Sequence, residues 1–445
     1  MLQNLDSFGR VNRHGRHAIT PAQAIADLEH SQDKALSFLA FGNGKSYGDS
    51  CHNDDGALVP MRSKSAILGF DLTNGILTAE AGATLEEIIA YAAPHGCFPA
   101  VTPGTRFVTL GGAIANDVHG KNHHRRGTFG CHVTGFELLR SDGTLYRCSA
   151  TENPDLFAAT IGGMGLTGII LSASIKLMQV GSLDVEEAIT SFPNLETYFD
   201  LAETADAQNE YAVAWIDQLS ATNRGVLLTG NHADNGNFKV QKKATRLTVP
   251  VEMPFSMLNG VTLRAFNLAY FHAKAHKTGV HRSAYGSFFY PLDAVGHWNR
   301  LYGPKGLFQH QSVIPFDAAH ATIPKLLEAS RRAGQASFLT VLKRFGAVSS
   351  PGLLSFPQPG YTLTMDFSNA GDKTLSLLAT LDRLTTEAGG RVNPYKDQRM
   401  SAETFAAGFP QWQNLERNRD PRFSSDFWRR TALALSPQRQ ALAAE

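Results

Sequence analysis

The chain is poor in charge. Only 18% of its 445 residues are Asp, Glu, Lys or Arg, and 41 basic against 40 acidic residues leave a net charge of +1. General nucleic-acid binding needs a strong basic excess, so that partner is not expected. A disordered chain is not expected either, because 43% hydrophobic residues supply a sizeable core. Cysteine is scarce: Cys51, Cys97, Cys131 and Cys148, with no CxxC spacing. That pattern disfavours a zinc or redox motif and a disulfide framework, and the thiols are expected to be reduced. No run of about 18 apolar residues occurs, so no transmembrane helix is expected. The N-terminal stretch MLQNLDSFGRVNRHGRH has no apolar core, so no Sec signal is expected. Together these absences predict a cytoplasmic protein whose membrane contact, if it has one, is peripheral.

Glycine is what the chain has in concentrated places. Residues 103–130, PGTRFVTLGGAIANDVHGKNHHRRGTFG, combine glycines with three histidines and four Lys or Arg side chains. Glycine lets backbone approach a ligand closely, and cations beside exposed N–H groups suit phosphate. His119, Lys121, His123 and His124 can bind phosphate, pair with a carbonyl or hold a metal. Asp117 is the available acidic ligand, but the surrounding cations oppose a metal cluster, and none is expected. A second loop, Phe41-Gly-Asn-Gly-Lys-Ser-Tyr-Gly-Asp49, follows an apolar strand. It is neither GxGxxG nor GxxxxGK[ST], which disfavours a Rossmann NAD site or a P-loop. A third, Ile161-Gly-Gly-Met-Gly-Leu-Thr-Gly168, runs into a strand.

Residues 20–38 predict a helix capped by Thr20 with Pro21 first. Strands are expected over 57–60, 66–70 and 76–80, then a helix over 84–95 with a TLEE capping box. A hairpin turning at Asp142-Gly143, a short helix over 153–161 and a β-branched strand over 167–180 complete an α+β half. Beyond 183, segments such as EYAVAWIDQL, RGVLLTGNH and IPKLLEASRRAG predict a larger sheet with helices. The segment 253–282 is basic and apolar, with no Asp or Glu between Glu252 and Asp293. It reads either as a core helix with a cationic solvated face or as a surface for anionic membrane.

FGNGKSYGDS, PGTRFVTLGGAIANDVHGKNHH and IGGMGLTGII, in that order and spacing, resemble the FAD-binding domain of the vanillyl-alcohol-oxidase/PCMH superfamily. HGKNHH is similar within it to the decaprenylphosphoryl-β-D-ribose 2-oxidase family. The resemblance continues through YPLDAVGHWNRLYGPKGLFQHQSVIP, LSFPQPGY and YKDQR. It implies an α+β, two-domain PCMH-type FAD-binding fold with an inserted substrate domain built on an antiparallel sheet. The expected division is an FAD domain over 1–182, a substrate domain over 183–391, and a segment over 392–445 returning to the FAD domain.

The resemblance further implies flavin contacts at Gly42, Asn43, Gly44, Lys45, Ser46, Tyr47 and Gly48. It implies others at Pro103, Gly104, Thr105, Gly111, Gly112, Asn116, His119, Gly120, Lys121, Gly163 and Gly168. Lys45 stands where many relatives attach FAD through a histidine, so non-covalent FAD is expected. Catalytic roles fall to Lys396, His119 and Tyr47. A cation at Lys396 would orient the hydroxyl or stabilise reduced flavin, and His119, with a pKa suited to it, would help move the proton. Substrate contacts fall to Trp215, Tyr290, Gln309, Gln311, Lys343, Thr362, Thr364 and Lys396. Thr364 departs from a family cysteine and supplies no thiol. The implied reaction oxidises the 2-hydroxyl of a polyprenylphosphoryl ribose, the first half of an epimerisation to arabinose for the cell envelope, with a short-chain reductase as partner. Two other readings stand beside it: a soluble sugar, alditol or aldonolactone oxidase using oxygen, and a phospholigand-binding protein with no redox role.

Overall fold

The computed structural model describes residues 2–30, 36–240, 247–337 and 339–435. The middle of the helix expected over 20–38, at 31–35, and the end of the C-terminal segment, at 436–445, lie outside the described residues.

Two sheets organise the molecule. The first has six strands between residues 67 and 179 and is antiparallel about the long strand Ile169–Gln179. That strand pairs with Ile76–Glu80, Cys97–Pro99 and Val133–Leu139. Its Val133–Leu139 neighbour returns through Leu145–Cys148, and the intervening turn carries Gly143 at φ +77°. Helix Leu85–Ala92 buries Leu85, Ile88, Ile89 and Ala92. Its start is a reciprocal cap: Thr84 Oγ1 accepts from Glu87 N at 3.2 Å, and Thr84 N donates to the Glu87 carboxylate at 2.7 Å. Such a cap contributes about 1 kcal/mol.

The expected 20–38 helix is shorter. It spans Pro21–His30, and Phe38–Phe41 is a strand, parallel to Ala57–Pro60. A parallel strand buried on both faces reads as a continuous apolar run, which periodicity alone does not separate from a helix.

The second sheet has eight strands. Their order is Gly279–Ser283, Val185–Phe192, Gly225–His232, Tyr211–Ile216, Val341–Phe345, Gly360–Ser368, Leu307–Ile314 and Arg391–Val392. Every pairing is antiparallel. Alternation splits each strand between two faces. One face sends Ala214, Leu342, Leu363, Met365 and Phe367 into a core with Ile323, Leu326 and Leu381, which come from the helices Phe316–Arg332 and Asp372–Glu387. The other face, carrying Gln309, Gln311, Thr364, Lys343, Val341, Trp215, Val213 and Leu228, looks toward the first sheet. The fold is α+β, with two antiparallel sheets facing each other across the loops of the first.

The last helices pack back on the first strands. Phe38 N donates to Arg422 O at 2.7 Å, and Ser424 N donates to Phe38 O at 3.2 Å. Arg430 bridges Asp49 at 2.7 and 3.0 Å and Asp397 at 2.8 Å. Burial pushes the Asp49 carboxyl up, and Arg430 opposes that shift. Arg430→Met leaves two buried carboxylates facing each other. It is expected to cost about 3 kcal/mol, read as a lower midpoint in urea unfolding at pH 7 and a smaller loss at pH 4.

Candidate active site

A cavity of about 830 Å³ separates the two sheets. Its first wall is built from loops. Residues 42–47 leave the strand Phe38–Phe41, residues 103–109 lead into the short helix Leu110–Ala115, and residues 164–168 lead into Ile169–Gln179. Gly44 holds φ +58°, a conformation costly for any residue with a Cβ. Among the described residues, the backbone N–H groups from Asn43 to Tyr47 find no hydrogen-bond acceptor. A run of amide donors facing a cavity is a cradle for an anion such as a pyrophosphate. Gly104 opens on the same cavity, with no atom within 4 Å of where a Cβ would stand. Lys45 lies 5.5 Å from the Phe8 ring and 5.6 Å from Phe107, its pKa lowered by burial and partly restored by Asp293.

Most sequence-predicted residues meet here. Gly42, Asn43, Gly44, Lys45, Ser46, Tyr47, Pro103, Gly104, Thr105, Gly111, Gly112, Asn116, His119, Gly120, Lys121 and Gly168 border the cavity. So do Trp215, Gln309, Gln311, Lys343, Thr364 and Lys396. Four do not. Gly48 is pressed against the Asp397 carbonyl, and Gly163 against the Ala159 carbonyl at the end of a helix. Tyr290 is buried behind the wall, its hydroxyl 2.6 Å from Thr102 Oγ1. Thr362 is fully buried behind Gln311. Gly163 to Gly168 has GxGxxG spacing, but it runs from a helix into a strand, the reverse of the dinucleotide fingerprint.

The histidines divide. His123 packs 4.5 Å from the Phe345 ring, and His124 Nε2 reaches the Asn209 carbonyl at 3.0 Å, so neither borders the cavity. Asp117 is bound into a loop knot by Gly130 N, Ser350 Oγ and Ser355 Oγ at 2.5–2.8 Å. His119 does border it. Gln311 Nε2 donates to His119 Nε2 at 3.1 Å and to Thr362 Oγ1 at 3.0 Å, while Gln311 Oε1 accepts from Asn393 Nδ2 at 3.0 Å. The His119 Nε2 lone pair is therefore occupied, which puts its proton on Nδ1. Burial holds the His119 pKa well below the usual value, with Lys343 and Lys396 adding to the effect. Accepting from Gln311, His119 holds that amide in place, and burial favours its neutral form.

Two carboxylates escaped sequence reading. Asp366 accepts from Gln309 Nε2 at 2.5 Å, and its second oxygen is buried with no partner among the described residues. Burial pushes it up to about 7, with Gln309 and Lys396 opposing. The signal was present: Asp366 is the one charged residue in the strand GYTLTMDFS. Lys396, 5.6 Å from the Tyr47 ring, is lowered by burial to about 8 and held up by Asp366. The second carboxylate is Glu187, buried at the far end and holding up Lys121, which burial lowers to about 8. Lys121 also donates to the Phe288 carbonyl. Lys343 is lowered by burial, then by Lys396 and Lys121, to about 7.

The FAD binding domain family matches residues 18–149, which include two of the three glycine loops. A protein of Mycolicibacterium smegmatis named decaprenylphosphoryl-beta-D-ribose oxidase is 36% identical over 91% of this chain and 91% of its own length. An uncharacterised Streptomyces coelicolor protein is 32% identical over 79% of this chain and all of its own. Mouse L-gulonolactone oxidase is 26% identical over 44% of this chain and 42% of its own. The fold and the site define an FAD-dependent oxidoreductase. Within that class, the chain belongs to the family of the Mycolicibacterium decaprenylphosphoryl-β-D-ribose oxidase.

A lysine with a lowered pKa is charged below that pKa and neutral above it. Affinity of the holoenzyme for dimethyl phosphate, whose charge is constant in this range, is therefore expected to be highest below pH 7 and to fall several-fold between pH 7 and 9. Lys343→Met is expected to flatten the lower part of that titration, measured by calorimetry.

Proposed function

We propose that this protein oxidises the 2-hydroxyl of a polyprenylphosphoryl-β-D-ribose to the 2-keto sugar, and that a partner short-chain reductase completes the epimerisation to arabinose. The lysine cluster carries the reading. Lys121, Lys343 and Lys396 converge on one cavity, and among the described residues Glu187 and Asp366 are the carboxylates whose charge acts on them. An excess of buried positive charge suits a ligand that brings a phosphodiester, and an uncharged sugar or lactone has nothing to offset it. The name of the Mycolicibacterium relative points the same way.

FAD, when bound, supplies the hydride acceptor, and residues 42–47 with Gly104 and Gly112 would hold it non-covalently. Gln309 and Gln311 offer amide oxygens to the sugar hydroxyls, each amide nitrogen being held from behind by Asp366 or Thr362. Lys396 faces the reacting hydroxyl. Below its pKa of about 8 it is an ammonium that orients the hydroxyl, with Asp366 as countercharge, and its neutral fraction, which grows as pH rises toward 8 and above, accepts the hydroxyl proton. His119 keeps Gln311 in register. The second reading, a soluble aldonolactone oxidase, is favoured only by the gulonolactone oxidase match, which covers less than half of the chain.

Peripheral membrane contact belongs to the same reading. Among the described residues no helix is long and apolar enough to cross a membrane. The 253–282 segment contains the helix Gly260–Ala275, which lies on the surface rather than in the core and buries only Leu263 and Asn267. Val261, Phe266 and Leu268 are exposed along it, beside Arg264 and Lys277. Apolar and cationic groups without acidic neighbours suit an anionic bilayer.

Anaerobic mixing with prenylphosphoryl pentoses, alditols and aldonolactones is expected to bleach flavin absorbance only with the prenylphosphoryl ribose. Bleaching by the free sugars alone would overturn the reading. Lys396→Met is expected to keep its flavin and lose at least a hundredfold in the bleaching rate, and acid precipitation is expected to leave the yellow colour in the supernatant. Co-sedimentation is expected with vesicles containing phosphatidylglycerol and not with pure phosphatidylcholine; equal pelleting with both, or with neither, would remove the membrane contact.

A further inference from the structure

The cavity-facing side of the eight-stranded sheet changes chemistry from one end to the other. Register gives the order. Gln309 lies opposite Asp366, and Gln311 opposite Thr364. Thr364 lies opposite Val341, and Thr362 opposite Lys343. Val341 lies opposite Trp215, Val213 opposite Leu228, and Leu228 opposite Ile189. Three strands thus present amides, hydroxyls, one ammonium and the Asp366 carboxylate, and the next three present hydrocarbon and one indole, with the Glu187 carboxylate at their outer edge acting on Lys121.

The apolar end is roofed. The helix Gly260–Ala275 turns Leu263, Asn267, Tyr270, Phe271 and Lys274 toward the sheet, a stripe spaced at helical period. Asn267 Nδ2 donates to Asp217 Oδ1 at 2.9 Å, in a buried contact that pins the helix down. The Tyr270 ring stands 4.7 Å from Trp215, and Phe271 lies under the Arg224 guanidinium at 4.4 Å. The space beneath remains open: Val213, Trp215, Leu228, Tyr270 and Val341 all border the cavity. Lys274 borders it as well, and its charge acts on Lys121. Three cations, Lys121, Lys274 and Lys343, therefore mark the junction between the polar and apolar compartments.

An anion bonded to a hydrocarbon matches that junction, and a soluble sugar does not. Sugar hydroxyls placed against Val213, Leu228 and Val341 would lose their hydration without gaining partners. Isoprene units there would be stabilised by removing their surface from water. We propose that the compartment between the sheet's apolar end and the helix Gly260–Ala275 binds the first isoprene units of the lipid-linked substrate, with its phosphate at Lys121, Lys274 and Lys343. This rests on the proposed function for the identity of the sugar, not for the chemistry of the channel.

The test uses holoenzyme and three ribosyl phosphodiesters bearing methyl, geranyl or farnesyl groups, together with farnesyl phosphate as a sugar-free probe. Wild type is expected to gain at least tenfold in kcat/KM from methyl to farnesyl, and Leu228→Glu to lose that dependence on tail length. Farnesyl phosphate is expected to change tryptophan fluorescence saturably and to bind at least tenfold more weakly to Leu228→Glu. Leu228→Trp, which fills the channel without charge, replaces that variant if it fails to retain flavin. No tail-length dependence in wild type, or equal farnesyl phosphate affinity in wild type and variant, overturns the channel. Absence of turnover with all three esters overturns the proposed function instead, and the farnesyl phosphate titration then decides the channel by itself.

Discussion

Burial of positive charge is the constraint on which this site depends. Lys121, Lys343 and Lys396 are all lowered by desolvation, and the latter two are within electrostatic reach of one another. Such a cluster is tolerable because each ammonium has a local support: the Phe288 carbonyl for Lys121, the Gly120 carbonyl for Lys343 and Asp366 for Lys396. The supports do not neutralise the cavity. An empty site is electrostatically uncomfortable, and an anionic ligand relieves it, so part of the binding energy is stored in the fold before the ligand arrives.

The two sheets make that arrangement possible by dividing the labour. Loops on the first sheet leave backbone amides unpaired toward the cavity. The second sheet backs one face with a hydrocarbon core and turns the other toward the ligand. Alternation along each strand then sets the order of polar groups without any loop having to adopt a special shape. Gln311 illustrates the gain. Both of its amide hydrogens and its oxygen are committed, so its orientation is fixed before substrate binds.

Much of this was legible in the sequence. The three glycine loops, the capped helix over 84–95 and the Asp142-Gly143 hairpin follow from turn and cap chemistry that acts over a few residues. Residues that depend on strand register were not legible. Asp366 and Glu187 look like ordinary strand carboxylates until pairing shows which face they occupy, while Thr362 lies under Gln311 and Tyr290 follows a short helix that packs behind the wall. The helix Gly260–Ala275 was ambiguous because its inward stripe is thin. Five inward positions among many exposed apolar residues do not produce a clear amphipathic pattern. The electrostatics of His119 were not legible either, because they come first from burial and then from two lysines more than 200 residues away in the chain.

The seam between Phe38 and the 422–424 segment has a consequence for synthesis. The strand that launches the first glycine loop hydrogen-bonds to residues nearly 400 positions later, and Asp49, just beyond the loop, is held by Arg430. On the ribosome, the amino-terminal half must therefore wait, incomplete, until residues 422–430 have emerged. Loop closure over such a separation is slow and comes late. Until then the parallel edge of Phe38–Phe41 and Ala57–Pro60 stays uncovered while nearly 400 residues are added, a long exposure for an apolar strand and a natural point for chaperone capture.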